Sequence, residues 1–328
     1  MENFRNIISN TVIGHATFSM AIDRYTQAIS SVGSMNGSVG YALVGEARAG
    51  KTTLVNHLQN IYTSERNELG LIQPVVYCCV PSEPSLKGMA EALFSALNDP
   101  FVGTKKSSKD ETANAIKSRS VKLIEECGVK AVIFDESQHF VRKPGSAATY
   151  SATEWLKTLM DKTSIVYIMA GLNSTVSLFD QNEQLPGRCM STIRLNRFNW
   201  MENEARSEFI SILSAFNEKL YQFDLPEFTN HEIAFRFYMA TGGLLGYLSK
   251  LLTQAVWDAI FEKRTCINLM HFEIAYEKSM RVSNFDNAVN PFSSKFNPVP
   301  SGETIANANL VGVHIPDPRQ RKNVKKGH

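Results

Sequence analysis

The sequence predicts an α/β fold in which a mostly parallel sheet is sandwiched by helices and is followed by a small all-helical domain. Apolar runs rich in β-formers alternate with helical stretches up to about residue 198, and a glycine-rich loop follows the first run. After about Trp200 only helical periodicity remains. Strands that alternate with helices favour a parallel sheet covered on both faces. Such sheets bind ligands at the C-terminal ends of their strands, so functional residues are expected there.

Apolar runs predict the strands of this sheet, and helical spacing predicts the helices. The strands are predicted at Gly40–Val44, Pro74–Val80, Ala131–Phe134, Ile165–Ala170 and Thr192–Leu195. Helices are predicted between them at Thr53–Ile61, Glu111–Cys127 and Tyr150–Lys162. The same spacing later in the chain predicts further helices over Glu202–Lys219, His231–Thr241, Leu244–Lys263 and Met270–Met280.

Composition limits the classes of protein that fit. The 328 residues allow about two domains, and the net charge of +2 does not by itself indicate a nucleic-acid partner. The five cysteines are odd in number and none sits at metal-finger spacing, which favours a reducing compartment. Met1–Ser9 lacks an apolar signal core, and no stretch approaches the roughly 20 apolar residues of a membrane helix. We therefore expect a cytoplasmic protein with no membrane partner.

Changes of composition and periodicity indicate four segments. They are an N-terminal helical segment at 1–39, an α/β core at 40–198, a helical lid at 199–282 and a flexible basic tail at 283–328. After Ser283 the chain loses periodicity, becomes rich in Asn, Pro and Ser, and ends in a basic run. Such composition is typical of a segment that is disordered or is ordered by a partner.

The glycine-rich loop matches the phosphate-binding pattern G-x-x-x-x-G-K-[ST]. Its backbone N–H groups are expected to surround the β-phosphate of ATP, while Lys51 neutralises phosphate oxygens and the Thr52 hydroxyl binds Mg²⁺. The helix that follows directs its positive N-terminus at the phosphates. A chance glycine-rich turn is the alternative, but it would not need a strand before it and a helix after it. The predicted nucleotide contacts are Gly45, Glu46, Ala47, Arg48, Ala49, Gly50, Lys51, Thr52 and Thr53.

Two adjacent acids end the third predicted strand, as in a Walker B element. Asp135 is expected to hold Mg²⁺ through water, and Glu136 is expected to orient and polarise the attacking water. A solvated acidic strand end is the alternative reading. Glu136 is the residue that would turn a binding site into a hydrolase.

Two further polar residues are candidates for contact with the γ-phosphate. Asn173 follows the fourth strand, where it would act as a sensor, although a turn Asn beside Gly171 is a competing interpretation. Arg188 precedes the fifth strand and would reach the nucleotide of a neighbouring subunit as an arginine finger. Arg194 and Arg197 compete with it for that role, and a solvated surface arginine or a salt-bridge partner is the alternative interpretation of Arg188.

A glycine in the helical part of the chain and a basic interval in the α/β part are candidates for contact with the nucleotide base and with nucleic acid, respectively. Gly243, in the run Thr241–Leu248, permits close backbone approach and could abut the base. The apolar stripe beside it is more simply explained as core. Lys105, Lys106, Lys109 and Arg119 form a basic interval that could contact nucleic-acid phosphates. A solubilising loop and helix face explains the same residues, since Asp110 and Glu111 interrupt the run.

Together these motifs resemble those of the TniB/TnsC family of AAA+ transposition regulators. The resemblance covers about residues 15–280 and rests on Gly-Glu-Ala-Arg-Ala-Gly-Lys-Thr, Val-Ile-Phe-Asp-Glu-Ser-Gln-His, Met-Ala-Gly-Leu-Asn and Thr-Gly-Gly-Leu-Leu-Gly-Tyr-Leu, in that order. The length and the basic tail are similar to those of TnsC proteins of Tn7-like transposons, including CRISPR-associated ones. The resemblance implies an AAA+ P-loop NTPase fold with a helical lid.

The resemblance also implies function. It implies an ATPase that forms a homo-oligomeric ring or filament on double-stranded DNA and links a TniQ-type target-selection protein, possibly with a CRISPR effector complex, to the transposase. It places DNA-tracking residues in the interval that contains Lys105 to Arg119, and adenine-side contacts at His15–Phe18. The run Gly242–Leu245 lacks the sensor arginine that many AAA+ proteins carry after the lid glycine, so slow or partner-dependent hydrolysis is expected. An ATP-gated scaffold that needs no hydrolysis, and an ATPase of another machine such as secretion, are the alternatives.

Overall fold

The computed structural model describes residues 6–68, 70–99, 112–141, 147–180, 189–280 and 289–313. Contacts divide the chain into two compact units. One unit is Ala16–Leu195, and the other combines Met1–His15 with Asn196–His328. The predicted N-terminal segment at 1–39 is thus shared between the units, with its first residues in the helical one.

The α/β unit is built on a five-stranded parallel sheet. Its strands are β1 (Val39–Gly45), β2 (Val75–Cys79), β3 (Ala131–Asp135), β4 (Val166–Gly171) and β5 (Cys189–Leu195). Their order across the sheet is β5-β1-β4-β3-β2, so the first strand is central. The helices of this unit are α1 (Ala16–Ser30), α2 (Lys51–Ile61), α3 (Leu86–Ala96), α4 (Ala113–Glu126) and α5 (Ala147–Lys162), with a short helix at Ser177–Asp180.

The strands are buried on both faces because helices cover the sheet. Every residue of β3 and β4 is buried, which explains why both read as continuous apolar runs rather than alternating ones. Trp155 on α5 packs edge-on against Phe134 of β3, and its indole N–H donates to the Ser120 hydroxyl of α4 at 3.1 Å. These layers fix the positions of the strand tips.

The register places the strand tips along one edge of the sheet. Val44 pairs with Gly171 on one side and with Arg194 on the other, while Asp135 pairs with Cys79. The phosphate-loop candidate, the acidic pair and the polar residue after β4 therefore lie along the same edge. An antiparallel hairpin (Glu65–Asn67 with Gly70–Ile72) and the helix α3 were not predicted from the sequence.

The helical unit is built around an aromatic core. Its helices are α6 (Asn203–Lys219), α7 (His231–Thr241), α8 (Leu245–Phe261), α9 (Leu269–Ser279) and α10 (Gly302–Asn309), together with the short helix Ile7–Asn10. Phe237 contacts Phe228, Phe272 and Phe292 with ring centroids 4.8–5.2 Å apart. The Asn230 side chain caps α7 by accepting from two backbone N–H groups, and Gly242 ends that helix with a left-handed φ of 61°.

Residues 289–313 fold against the helical unit, where the sequence led us to expect flexible chain. Phe292 is 2% exposed, and α10 buries Ile305 and Ala308 in the same core. Arg236 of α7 donates to the carbonyl oxygens of Pro291 and Ser293, which holds the segment in place. The polar composition concealed this packing because a few apolar side chains, widely spaced, supply the contacts. Residues 281–288 and 314–328 lie outside the described residues.

Candidate active site

The loop after β1 has the backbone geometry of a phosphate-binding loop. Gly45 is buried at the tip of β1, and a Cβ there would lie 2.1 Å from the carbonyl oxygen of Leu195, so no larger residue fits. Arg48 and Gly50 both adopt left-handed backbone, with φ of 67° and 101°. These turns curl the loop before α2 begins at Lys51. The loop and the helix N-terminus together form a site for an anion.

Lys51 lies over this loop and faces the acidic pair. Its Nζ donates to the carbonyl oxygens of Gly45 at 3.0 Å and Glu46 at 2.8 Å. Burial lowers the pKa of Lys51, while the carboxylates of Asp135, Glu136 and Glu46 act in the opposite direction. The structure thus brings the loop lysine and the two strand-end acids into one electrostatic site, across more than 80 positions of sequence. Thr52 and Thr53 are exposed in the first turn of α2.

Asp135 is held rigidly at the tip of β3. It is 6% exposed, and its Oδ2 accepts from the Tyr77 hydroxyl at 3.0 Å while its Oδ1 accepts from the Glu136 N–H at 2.8 Å. Burial, the charge of Asp135 and this hydrogen bond together raise the pKa of Tyr77, so the phenol stays a donor. Tyr77 lies on β2, the neighbouring strand, and sequence reasoning assigned it no role.

Glu136 sits in a turn that few residues adopt. Its φ of 56° and ψ of 30° are left-handed, and the 3-10 helix Ser137–Phe140 follows directly. The Gln138 side-chain amide donates to Glu136 Oε2. The side-chain oxygen of the same amide, Gln138 Oε1, accepts from the backbone N–H of Leu172 at 3.0 Å, just beyond β4. Gln138 therefore joins the third and fourth strand tips, a role that its place in the Asp-Glu-Ser-Gln-His run could have suggested.

Among the candidates for the sensor and arginine-finger roles, the structure describes Asn173, Arg194 and Arg197. Asn173 is exposed at the start of a 3-10 helix after β4, and its Oδ1 accepts from Arg194 at 3.5 Å. Arg197, in the helical unit, donates to the carbonyl oxygens of Gly242 and Val311. Arg188 lies outside the described residues. The sensor and finger roles stay predictions.

Gly243 has a packing role of its own in the helical unit. Its φ is 72°, and a Cβ there would lie 2.3 Å from the carbonyl oxygen of Phe198, so the position requires glycine. The Gly243 carbonyl oxygen accepts from the Phe198 N–H at 3.0 Å. Contact with a nucleotide base stays a prediction.

The predicted nucleic-acid residues are only partly described. Lys105, Lys106 and Lys109 lie outside the described residues. Arg119 forms an ion pair with Asp99 and lies over the Phe94 ring, with its guanidinium carbon 4.5 Å from the ring centroid. The structure therefore gives Arg119 a place in the α3–α4 packing, and a DNA contact by this residue stays a prediction.

Comparison with known families identifies the chain. The family model described as "Bacterial TniB protein" matches residues 4–200, which include the glycine-rich loop, the acidic pair and the strand end at Asn173. The chain belongs to the TniB family. The predicted family resemblance is thus confirmed. No curated protein sequence gives a significant match.

Solved structures confirm the AAA+ P-loop fold of this TniB protein. The ORC2 protein of Aeropyrum pernix, solved as ADPNP–ADP complexes, superposes with a TM-score of 0.60 at 15% identity, covering 85% of this chain and 73% of that one. The ORC1 protein of the same organism, solved with DNA, gives 0.56 at 14% identity, covering 84% and 69%. Cdc6p of Pyrobaculum aerophilum gives 0.53 at 12% identity, covering 84% and 70%. At these identities the likeness concerns the fold.

The helices that the structure describes include none with the length and apolar character needed to cross a bilayer.

Proposed function

We propose that this TniB-family protein is an ATPase that regulates transposition by assembling on double-stranded DNA. In this proposal it forms a homo-oligomeric ring or filament in the ATP state and connects a TniQ-type target-selection protein to the transposase. The observation that carries the proposal is the single site formed by Lys51, Asp135 and Glu136 at one edge of the sheet. Family membership supplies the link to transposition.

Hydrolysis follows from the chemistry of the strand-end acids. Lys51 and the loop N–H groups hold the phosphates, which positions the γ-phosphate and offsets the charge that develops on its oxygens. Glu136 accepts a proton from the attacking water as that water forms its bond to the γ-phosphorus, while the bond from this phosphorus to the β–γ bridging oxygen breaks and ADP leaves. Asn173, which follows the neighbouring strand, is proposed to orient the water or the γ-phosphate. Arg188 of an adjacent subunit is proposed to complete the site in trans.

The donor atoms at the strand tip suit Mg²⁺. The Thr52 hydroxyl and the Asp135 carboxylate are oxygen ligands, which this ion prefers, and Asp135 keeps lone pairs beyond those used by Tyr77 and the Glu136 N–H. Mg²⁺ held by these residues would supply positive charge that offsets the negative charge of the phosphates. The protein's part is to fix the positions of these two oxygens.

DNA binding is proposed from the family and from the proposed oligomerisation. The structural neighbour ORC1 was solved with DNA. Lys105, Lys106, Lys109 and Arg119 are the proposed contacts. Many weak phosphate contacts on one oligomer act multivalently, so ATP-driven assembly would raise DNA affinity without a strong site on any one subunit.

The proposal is tested by electron microscopy and DNA retention with the full chain. Protein loaded with ATP, a slowly hydrolysed analogue or ADP is mixed with duplex DNA at low salt. We expect rings or filaments on DNA with ATP and the analogue, and dispersed protein with ADP. Failure of ATP-loaded protein to retain duplex DNA would show the DNA part of the proposal to be wrong.

The same experiment distinguishes an ATPase regulator from an ATP-gated scaffold. If hydrolysis releases the assembly, Glu136→Gln protein will persist on DNA after ATP addition, whereas wild-type protein will dissociate. If the protein is a scaffold in which hydrolysis is incidental, both will persist equally. Recruitment of TniQ-type protein and transposase to these assemblies, measured by co-sedimentation, tests the partner assignment.

The basic run at 319–326 is proposed to dock a partner. Since residues 289–313 pack into the helical unit, a truncation that spares folding should begin after Val313. Deleting 314–328 is expected to leave ATP binding and DNA binding intact and to weaken recruitment. Unchanged recruitment would remove the docking role.

A further inference from the structure

We infer that Gln138 is a positioning residue of the hydrolytic site, and that it fixes the Glu136 carboxylate relative to the tip of β4. This inference rests on the proposed ATPase function and adds a residue to it. The observation behind this inference is that the side-chain amide of Gln138 makes two hydrogen bonds, one as a donor and one as an acceptor. It donates to Glu136 Oε2 and accepts from the Leu172 N–H at 3.0 Å.

The orientation of this amide is determined by its surroundings. A backbone N–H can only donate, so the Gln138 atom facing Leu172 must be the carbonyl oxygen. The NH₂ group is then directed at Glu136, where it can only donate, and a carboxylate is the partner that suits it best. Gln138 is 9% exposed, so water competes weakly for either bond. Flipping the amide would break both interactions at once.

Gly171 makes room for this arrangement. A Cβ at Gly171 would lie 2.5 Å from the Gln138 carbonyl oxygen and 2.4 Å from the Thr175 hydroxyl oxygen. The last residue of β4 must therefore lack a side chain for the amide to reach Leu172. Glycine at this strand end is explained by the hydrogen bond, since its φ is not in the left-handed region.

Glu136 needs such support because its backbone alone does not hold it. The left-handed turn at Glu136 projects a long side chain with several rotatable bonds from a short 3-10 segment. A general base must be within hydrogen-bond reach of its water, so a freely rotating carboxylate would be in place only part of the time. Gln138 limits that rotation. It also ties the position of Glu136 to the tip of β4, just before Asn173, so a shift of that tip would move the proposed base.

The test compares variants of the full chain in steady-state ATPase assays with duplex DNA. Gln138→Glu keeps the size and the acceptor for Leu172 but replaces the donor facing Glu136 with a second carboxylate. We expect kcat to fall by about 10- to 100-fold, the range for losing a hydrogen bond to a charged group. KM for ATP and the affinity for a fluorescent ATP analogue should change by less than about twofold, since Gln138 is not assigned to nucleotide binding.

Gln254→Glu is the matched control. Gln254 also donates its side-chain amide to a carboxylate, Asp258 Oδ1 at 3.0 Å, but it lies in the helical unit on α8. Its substitution creates the same kind of like-charge contact and should leave kcat unchanged. If Gln138→Glu lowers the melting temperature strongly, the Gln138→Met variant decides, because it removes both the donor to Glu136 and the amide acceptor for Leu172 without adding charge. It should also lower kcat with little change in nucleotide affinity.

The outcomes separate this inference from the proposed function. Wild-type kcat in Gln138→Glu or in folded Gln138→Met overturns the positioning role while the ATPase proposal stands. A parallel loss of kcat and nucleotide affinity overturns it too, because it indicates a merely structural residue. If wild-type protein hydrolyses ATP no faster than Glu136→Gln protein, both this inference and the proposed function are wrong.

Discussion

The phosphate loop and the tip of β3 form two halves of one site, but they are held in place by different means. The loop is shaped by its own backbone, through left-handed turns at Arg48 and Gly50 and carbonyl contacts to Lys51. The acidic tip is held by side chains that connect it to the neighbouring strands. Tyr77 on β2 donates to Asp135, and Gln138 bonds both to Glu136, two residues away, and to Leu172 beyond β4. Local backbone geometry thus shapes the loop proposed to bind phosphate, while side-chain contacts to neighbouring strands hold the acids proposed to act in hydrolysis. The difference implies that mutations can separate the two activities.

The largest effect is expected for Glu136→Gln, which removes the proposed base and leaves the loop intact. We expect kcat for ATP to fall by about 1,000-fold, within the range for loss of a general base. Nucleotide affinity, measured with a fluorescent ATP analogue, should stay within about twofold of wild type. Glu126→Gln is the control. Glu126 is an exposed glutamate at the end of α4, and its described ion pair is with Lys122 at 3.4 Å. A strong loss of affinity in Glu136→Gln would mean that the two halves are not separable.

Lys51→Ala tests the binding half. Removing the ammonium that we propose to contact the phosphates should weaken ATP binding by at least about 100-fold, the order expected for a buried charge-assisted contact. Isothermal titration calorimetry measures the affinity directly. Lys122→Ala, an exposed lysine of α4, should leave affinity unchanged. Retained binding with lost turnover in Lys51→Ala would assign the lysine to the hydrolytic half instead.

Gly171→Ala tests the space around Gln138. The added Cβ would collide with the Gln138 and Thr175 oxygens, so the amide must move away from Leu172. We expect kcat to fall by between about 10- and 100-fold, because small displacements of a catalytic group are costly. The melting temperature should drop by several degrees, at about 2–4 °C per kcal/mol for a unit of this size. Gly302→Ala is the control, since a Cβ there meets open space. Unchanged turnover would show that the contact tolerates displacement.

Tyr77→Phe is expected to have the smallest effect and to act on the metal. Loss of the hydroxyl leaves Asp135 with one of its two described hydrogen bonds, so its carboxylate is less well oriented. The Mg²⁺ concentration that supports half-maximal turnover should rise by about tenfold, the lower end for loss of a supporting contact to a metal ligand. Tyr62→Phe, which loses a weak bond to the Thr26 carbonyl at 3.4 Å, serves as control. An unchanged Mg²⁺ requirement in Tyr77→Phe would show that Asp135 needs no such support.

The sequence by itself determined the class of fold and the chemistry of the phosphate loop. The loop from Gly45 to Thr52 is contiguous, so its glycines, its lysine and its threonine can be read together. Strand–helix alternation predicted a parallel sheet, and the strand and helix bounds differ from the predicted ones by a few residues. The adjacent acids Asp135 and Glu136 were visible because they directly follow an apolar run.

The tertiary structure alone decided the strand order and the contacts that hold the acids. Tyr77 and Asp135 are 58 positions apart, and Gln138 and Leu172 are 34 apart. It also decided that Arg119 pairs with Asp99 and that residues 289–313 complete the helical core. The physical reason is the same in each case. Periodicity in the sequence shows which face of a helix or strand is apolar, but it does not show which helices and strands pack against each other. Hydrogen bonds between residues far apart in sequence depend on that packing.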